Sequence, residues 1–166
     1  MSIINPAELD LKEEAVVKIN RTAKVTSRGS VSGFLPSCFG DGHGHIGVGL
    51  GKANEVISAI QKGKEIAKRN IVKISIINGT IPHKIIGKHG ASRIFLKPAA
   101  PGTGIIAGAP VRAVMEQVGI QNILTKRQGS KNQMNLVHAT MNALLCLKDA
   151  VSIANKRGLT IGEVFN

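Results

Sequence analysis

The chain has 166 residues, 43% of them hydrophobic, which suffices for one large or two small domains with real cores. A formal net charge of +12 favours a polyanionic partner, while four Phe, no Trp and no Tyr argue against modules that stack single-stranded bases on aromatic platforms. Two cysteines without a spacing motif give no disulfide framework, and no apolar run reaches membrane-spanning length, so a soluble, cytosolic protein with no membrane partner is expected.

Residues 1–14, MSIINPAELDLKEE, are acidic, unlike a targeting leader, and read as an N-terminal arm. Residues 15–26 read as a strand with Val17, Ile19, Ala23 and Val25 as apolar members, and residues 27–32 as a turn carrying Arg28 and Gly29. A second strand is expected over 33–39, weakened by Gly33 and Pro36. Asp41-Gly42-His43-Gly44 is a hairpin turn of Asp-Gly type, after which Ile46, Val48 and Leu50 alternate with small residues as in a half-buried strand. Residues 51–54 then open a helix over 55–70, with Asn54 as N-cap. Its apolar face should come from Val56, Ile57, Ile60, Ile66 and Ala67, with Lys62, Lys64, Lys68 and Arg69 mostly opposite. Residues 15–73 therefore read as a β-β-β-α domain.

A second domain is expected over 74–166, with strands at 73–77, 80–86, 93–96 and 120–124. Between the last two lies residues 98–109, PAAPGTGIIAGA, which carry no charge. Pro110 suits a first helical position, Val111, Val114, Met115 and Val118 follow at helical spacing, and Gly119 suits the C′ position. A glycine-rich loop thus feeds a helix N-terminus with Arg112 in its first turn, a geometry that suits phosphate; the alternative is a loop that only crosses a neighbouring strand closely. Residues 125–131 read as a basic loop, 132–147 as a helix with Val137, Met141, Leu144 and Leu145 inward, and 149–157 as a helical segment ended by Gly158. Thr160-x-x-Glu163 is a capping box. Residues 1–73 hold 11 Lys+Arg against 7 Asp+Glu, and residues 74–166 hold 11 against 3, so the second half has almost nothing to neutralise it.

Several motifs compete. Gly42-x-Gly44-x-x-Gly47 fits a dinucleotide pattern but is followed by strand-like residues where a helix is required. Gly51-Lys52 lacks the first glycine and the Ser/Thr of a phosphate loop. Ile85-Ile86-Gly87-Lys88-His89-Gly90 has the GxxG of a KH domain, which clamps an RNA backbone and needs a helix directly after Gly90. His43 and His45 have no further metal ligands at sensible spacing. Ten scattered acids assemble no catalytic set, so neither an enzyme, a cofactor, a metal nor a small-molecule substrate is expected.

The residues at 41–52, DGHGHIGVGLGK, with Glu55-Val56 and Ala59-Ile60-Gln61-Lys62 behind them, resemble the bacterial-type small-subunit ribosomal protein five family. So do Gly90-Ala-Ser-Arg93, Lys97-Pro-Ala-Ala, residues 102–108 (GTGIIAG), Arg112-Ala-Val-Met-Glu, Gly129-Ser-Lys-Asn132, Asn135-Leu-Val and Ala139-Thr140. The resemblance covers about residues 8–165. It implies an α+β protein of two small domains: an N-terminal β-β-β-α unit like a double-stranded-RNA-binding fold, and a C-terminal α/β domain of the family's own type. It further implies a cytoplasmic, structural constituent of the small ribosomal subunit that supports assembly, sits on the mRNA entry side and influences decoding accuracy. Small-subunit rRNA and the neighbouring proteins four and eight would be its partners, with mRNA nearby. The RNA-contacting candidates are Arg21, Lys24, Arg28, Gly29, His43, His45, Lys52, Lys62, Lys68 and Arg69 in the first half. In the second half they are Lys88, Arg93, Thr103, Arg112, Lys126, Arg127 and Lys131. One departure stands out: the family's lysine–glycine–glycine–arginine loop is replaced over residues 26–37 by TSRGSVSGFLPS, one residue shorter. The rival readings are a free KH-type RNA-binding regulator and a kinase-like use of the loop 102–108.

Overall fold

A computed structural model describes residues 15–16, 20–24, 30–160 and 162–163. The arm at 1–14, together with Arg28 and Gly29, lies outside the described residues. Among the described residues the named elements form two sheets and four helices. In the first sheet β1 (Ala15–Val16) and β2 (Asn20–Lys24) both pair antiparallel with β3 (Ser30–Gly40), which pairs with β4 (His45–Ala53), which in turn pairs with β5 (Val72–Lys73). Helix α1 (Val56–Arg69) lies across β3 and β4.

Expectation and structure part in four places here. The strand read over 15–26 is two strands among the described residues. The weak strand read over 33–39 is an eleven-residue one, and Pro36 stands opposite Leu50 inside an unbroken register from Gly33↔Ala53 to Gly40↔Ile46. That pairing carries β4 on through Ala53, so the helix starts late and its N-cap is Glu55 rather than Asn54. The packed face of α1 is also not the one its large aliphatics mark: Ala59, Gly63 and Ala67 are buried while Ile57 is 71% exposed.

Small residues face the sheet because the sheet itself is bare there. A Cβ on Gly47 would meet Ala67 O, one on Gly49 would meet Gly63 O, and one on Gly51 would meet Ala59 O, each inside van der Waals contact. Three glycines at alternate strand positions thus face three small residues at four-residue helical spacing. The glycine pattern 47–51 is a packing seam.

The second sheet runs in the order β6 (Ile85–His89), β7 (Ser92–Pro98), β9 (Ile123–Gly129), β8 (Ile105–Ile106), antiparallel except for the parallel β8–β9 pair. Helices α2 (Ala109–Val118) and α3 (Gln133–Leu145) cover one face, and α4 (Ala150–Arg157) follows, ended by Gly158 in the left-handed region. Gly87, Ser92, Ile94, Leu96 and Ile123 point into the helices. Leu145, expected inside, is 38% exposed, its place taken by Leu136, Ala139 and Ala143. A strand follows Gly90, which overturns the KH-type alternative; residues 85–98 are a hairpin with a basic tip. The basic loop read at 125–131 is in part strand, since β9 continues to Gly129. No helix among the described residues is long and apolar enough to cross a membrane.

The two sheets meet at the β3–β4 turn. Helix α2 ends in a Schellman motif: Ile120 N–H donates to Met115 O, Gly119 N–H to Glu116 O, with Gly119 at φ 90°. That leaves the carbonyls of Gln117 and Val118. Gly42 N–H donates to the first at 3.0 Å and Gly44 N–H to the second at 2.9 Å, while Gly44 O accepts from Ile74 N–H at 2.7 Å. Asp41 shapes the turn that presents these groups. Its Oδ1 accepts from His43 N–H (2.7 Å) and His45 N–H (3.0 Å), and its Oδ2 pairs with His45 Nδ1. Burial works to raise the Asp41 pKa, but those hydrogen bonds and the His45 ring outweigh it and hold the carboxyl below its ordinary value. Apolar packing continues across the joint, with Ile46 and Ile74 in one buried cluster with Val111, Val114, Met115 and Val118.

The seam gives a paired stability test. Gly49→Ala drives a Cβ into Gly63 O and Ala67 N, backbone atoms that cannot rotate away, and should cost about 3 kcal/mol or more. Gly108→Ala, in open space at φ −71°, should cost under about 1 kcal/mol as a weaker N-cap. Urea unfolding of both variants checks the contrast; equal losses would mean the seam opens freely.

Candidate nucleic-acid interface

The free face of the second sheet follows from strand alternation. Ile94 and Leu96 point into the helices, so Arg93, Phe95 and Lys97 point away. Register extends this into rows. Lys88, Arg93 and Gln128 are cross-strand neighbours, and beside them lie Ile86, Phe95 and Lys126. A third row joins Lys97, Leu124 and Ile106. The strands of this sheet carry no acidic residue.

Two further basic clusters lie elsewhere. Arg127 and Lys131 border a groove of about 620 Å³ between the starts of α2 and α3, floored by Pro110, Val111 and Leu136. Asn132 caps α3 by accepting from Met134 N–H, and the nearby Gln133 Oε1 is buried without a hydrogen-bond partner. On the first sheet, Lys52 at the end of β4 and Lys62 on α1 share a hollow with Asn54 and Ser58. Lys68 and Arg69 occupy the last turn of α1, where the helix dipole also favours cations.

The remaining candidates are placed more singly. Arg21 and Lys24 stand on β2 opposite Gly33 and Ser30. His43 is exposed at the joint, whereas His45 is half-buried and committed to Asp41. Thr103 closes a turn by donating its N–H and Oγ1 hydroxyl to Ala100 O. Arg112 reaches back from α2 to donate to Ile105 O at 3.0 Å, so it braces β8.

The loop into α2 is held from one side only. Gly104 N–H donates to Asn122 Oδ1, Ile123 N–H to Gly104 O, and the Thr125 hydroxyl to Ile106 O. Gly102 and Gly104 have positive φ, and among the described residues added Cβ atoms at Gly102, Gly104 and Gly108 would meet nothing within 4 Å. Against those residues, then, Gly102 and Gly104 serve conformation, and none of the three makes a close crossing. Residue-by-residue reading missed Lys97, though the alternation Arg93-x-Phe95-x-Lys97 carries it. It also missed the joint, whose signal is glycine at 40, 42 and 44.

At the end of β6, His89 packs on His138 of α3 with ring centroids 4.9 Å apart. Burial and the neighbouring His89 charge hold the His138 pKa below the ordinary histidine value.

Comparison with known proteins bears on both halves. The profile of "Ribosomal protein S5, N-terminal domain" matches residues 12–75, and that of "Ribosomal protein S5, C-terminal domain" matches residues 87–157. The chain is 53% identical over 154 residues to a Thermotoga maritima protein named small ribosomal subunit protein uS5, covering 92% of this chain and 86% of that one. It is 46% identical over 160 residues to the Shewanella loihica protein of the same name, covering 96% and 95%.

The histidine pair predicts an acid-side loss of stability. Because the folded pKa of His138 lies below the unfolded value of about 6.5, the unfolded chain takes up this proton first. The contribution is complete above about pH 6.5 and declines as pH falls from there towards the lowered folded value. Thermal melts across this range should show the decline for the native chain and a shallower one for His138→Gln. Parallel profiles would show that the pair does not govern it.

Proposed function

The chain belongs to the ribosomal protein S5 family, and from that premise we propose that it is a structural constituent of the small ribosomal subunit, held in place by rRNA. It acts by binding and positioning, with no catalytic step. The observation that carries this reading is the placement of the cations. Lys88, Arg93 and Lys126 share a strand face without a carboxylate, Arg127 and Lys131 border the groove beside them, and Lys52 and Lys62 share the hollow on the first sheet. Such clusters suit phosphate contacts, which fix position, while fit to folded rRNA supplies specificity.

Arg21, Lys24, Lys68, Arg69 and Arg112 extend the proposed contact, and the open side of the loop 102–108 lets a sugar–phosphate surface approach its backbone. Arg28, Gly29, His43, His45 and Thr103 remain proposed contacts on the family resemblance; His45 would contribute through its outer ring edge, since Nδ1 is held by Asp41. The finer role follows the family: support of subunit assembly, a place on the mRNA entry side next to proteins four and eight, and an influence on decoding accuracy, in a cytoplasmic ribosome.

Salt titration tests the electrostatic basis. With about 6–10 phosphates contacted, affinity for small-subunit rRNA should fall by roughly 10³–10⁵ between 50 and 200 mM salt, by analogy with duplex DNA. Lys131→Ala should weaken binding at every salt concentration and reduce the slope by about one. A flat salt response would sink the proposal.

A further inference from the structure

The free face of the second sheet has an unusual middle for a phosphate-binding surface. Phe95 is half-buried at its centre on the inner strand β7, and its cross-strand neighbour Ile86 is 59% exposed. Arg93 stands two residues before Phe95, about 7 Å along the strand, with Lys88 beside Arg93 and Lys126 beside Phe95. A folded duplex presents ribose and phosphate, and an apolar centre offers those groups no partner. An unpaired base presents a π-face that a half-buried ring and its exposed aliphatic neighbour can cover, while cations one strand-step away take the flanking phosphates.

We infer that this face takes an unpaired stretch of RNA, one base stacked on Phe95 and the adjoining phosphates on Arg93, Lys88 and Lys126. The inference rests on the RNA-binding reading above and specifies the kind of RNA at one of its surfaces. A protein partner fits less well. Lysine is depleted in protein–protein interfaces, and most of the cations here are lysines. The paucity of aromatics limits the site to a single base; it does not remove it.

The chain contains no tryptophan, so the Phe95→Trp variant carries a sole indole as a probe. Titrating the full-length variant with a short unstructured RNA should quench that fluorescence, whereas a blunt-ended, fully paired RNA duplex should not. Phe95→Leu, checked for folding by circular dichroism, should bind the unstructured RNA about tenfold more weakly and bind the duplex as the native chain does. Absent quenching, or equal single-strand binding by a folded Phe95→Leu, overturns the inference. In assembled small subunits, Ile86→p-benzoylphenylalanine should cross-link on irradiation to RNA, and separately labelled rRNA and mRNA tell which supplies the strand. Cross-linking only to protein also overturns it. Incorporation of the native chain into subunits is scored in parallel. Failure there defeats the broader proposal, whereas normal incorporation without the Phe95 signals defeats this one alone.

Discussion

A helix that ends inside a protein must find partners for its last carbonyls, and α2 finds half of them in another sheet. Met115 and Glu116 are served by the helix's own Schellman turn, Gln117 and Val118 by Gly42 and Gly44. An unpartnered buried carbonyl costs about 1–3 kcal/mol, so the turn at 41–44 is held to one place and one shape. The shape in turn requires Asp41 to gather the His43 and His45 N–H groups, and the place requires bare backbone on both sides. A Cβ on Gly40 would strike Gln117 O, and one on Gly119 would strike Gly42 O. The continuity of apolar packing from Ile46 and Ile74 to Val114 and Met115 follows from this contact, because it brings the β3–β4 turn to the end of α2.

Glycine works in three ways along this chain. At 47, 49 and 51 it removes side chains so that α1 can lie directly on β4. At 42, 44 and 119 it supplies left-handed backbone at the joint. At 102 and 104 it again supplies positive φ, but with open space outside. This last kind leaves backbone available to another molecule, and the same loop runs on into Ile106, Ala107 and Gly108, which line the groove bordered by Arg127 and Lys131.

Much of this was legible from residue order. The helix over 109–118, its glycine terminus, the hairpin turn at Asp41 and the α4 end at Gly158 follow from local chemistry that tertiary contacts do not override. Local chemistry failed where a neighbour decided the outcome. The large aliphatics of α1 suggested a buried stripe through Ile57 and Ile66, yet a glycine-lined strand draws in the small residues and turns both isoleucines outward. Polar composition made 125–131 read as a loop; β9 is polar there because it has run past β8 and, among the described residues, keeps only β7 as a strand partner. Pro36 sits in an unbroken β3–β4 register, a tolerance that no single-strand pattern displays. At the interface, the cations were visible but not their grouping. Register alone set Lys88 beside Arg93 and put Phe95 between Ile86 and Lys126.

The joint also bears on the order of folding. Gly40 and Gln117 are 77 residues apart, so their meeting closes a long loop, which is the slow kind of contact. During synthesis the β3–β4 turn emerges well before α2, and the N-terminal unit can fold first. If the N-terminal unit folds first, the donors for the last two carbonyls of α2 await it, and the later half of the chain completes its helix against a template made by the earlier half.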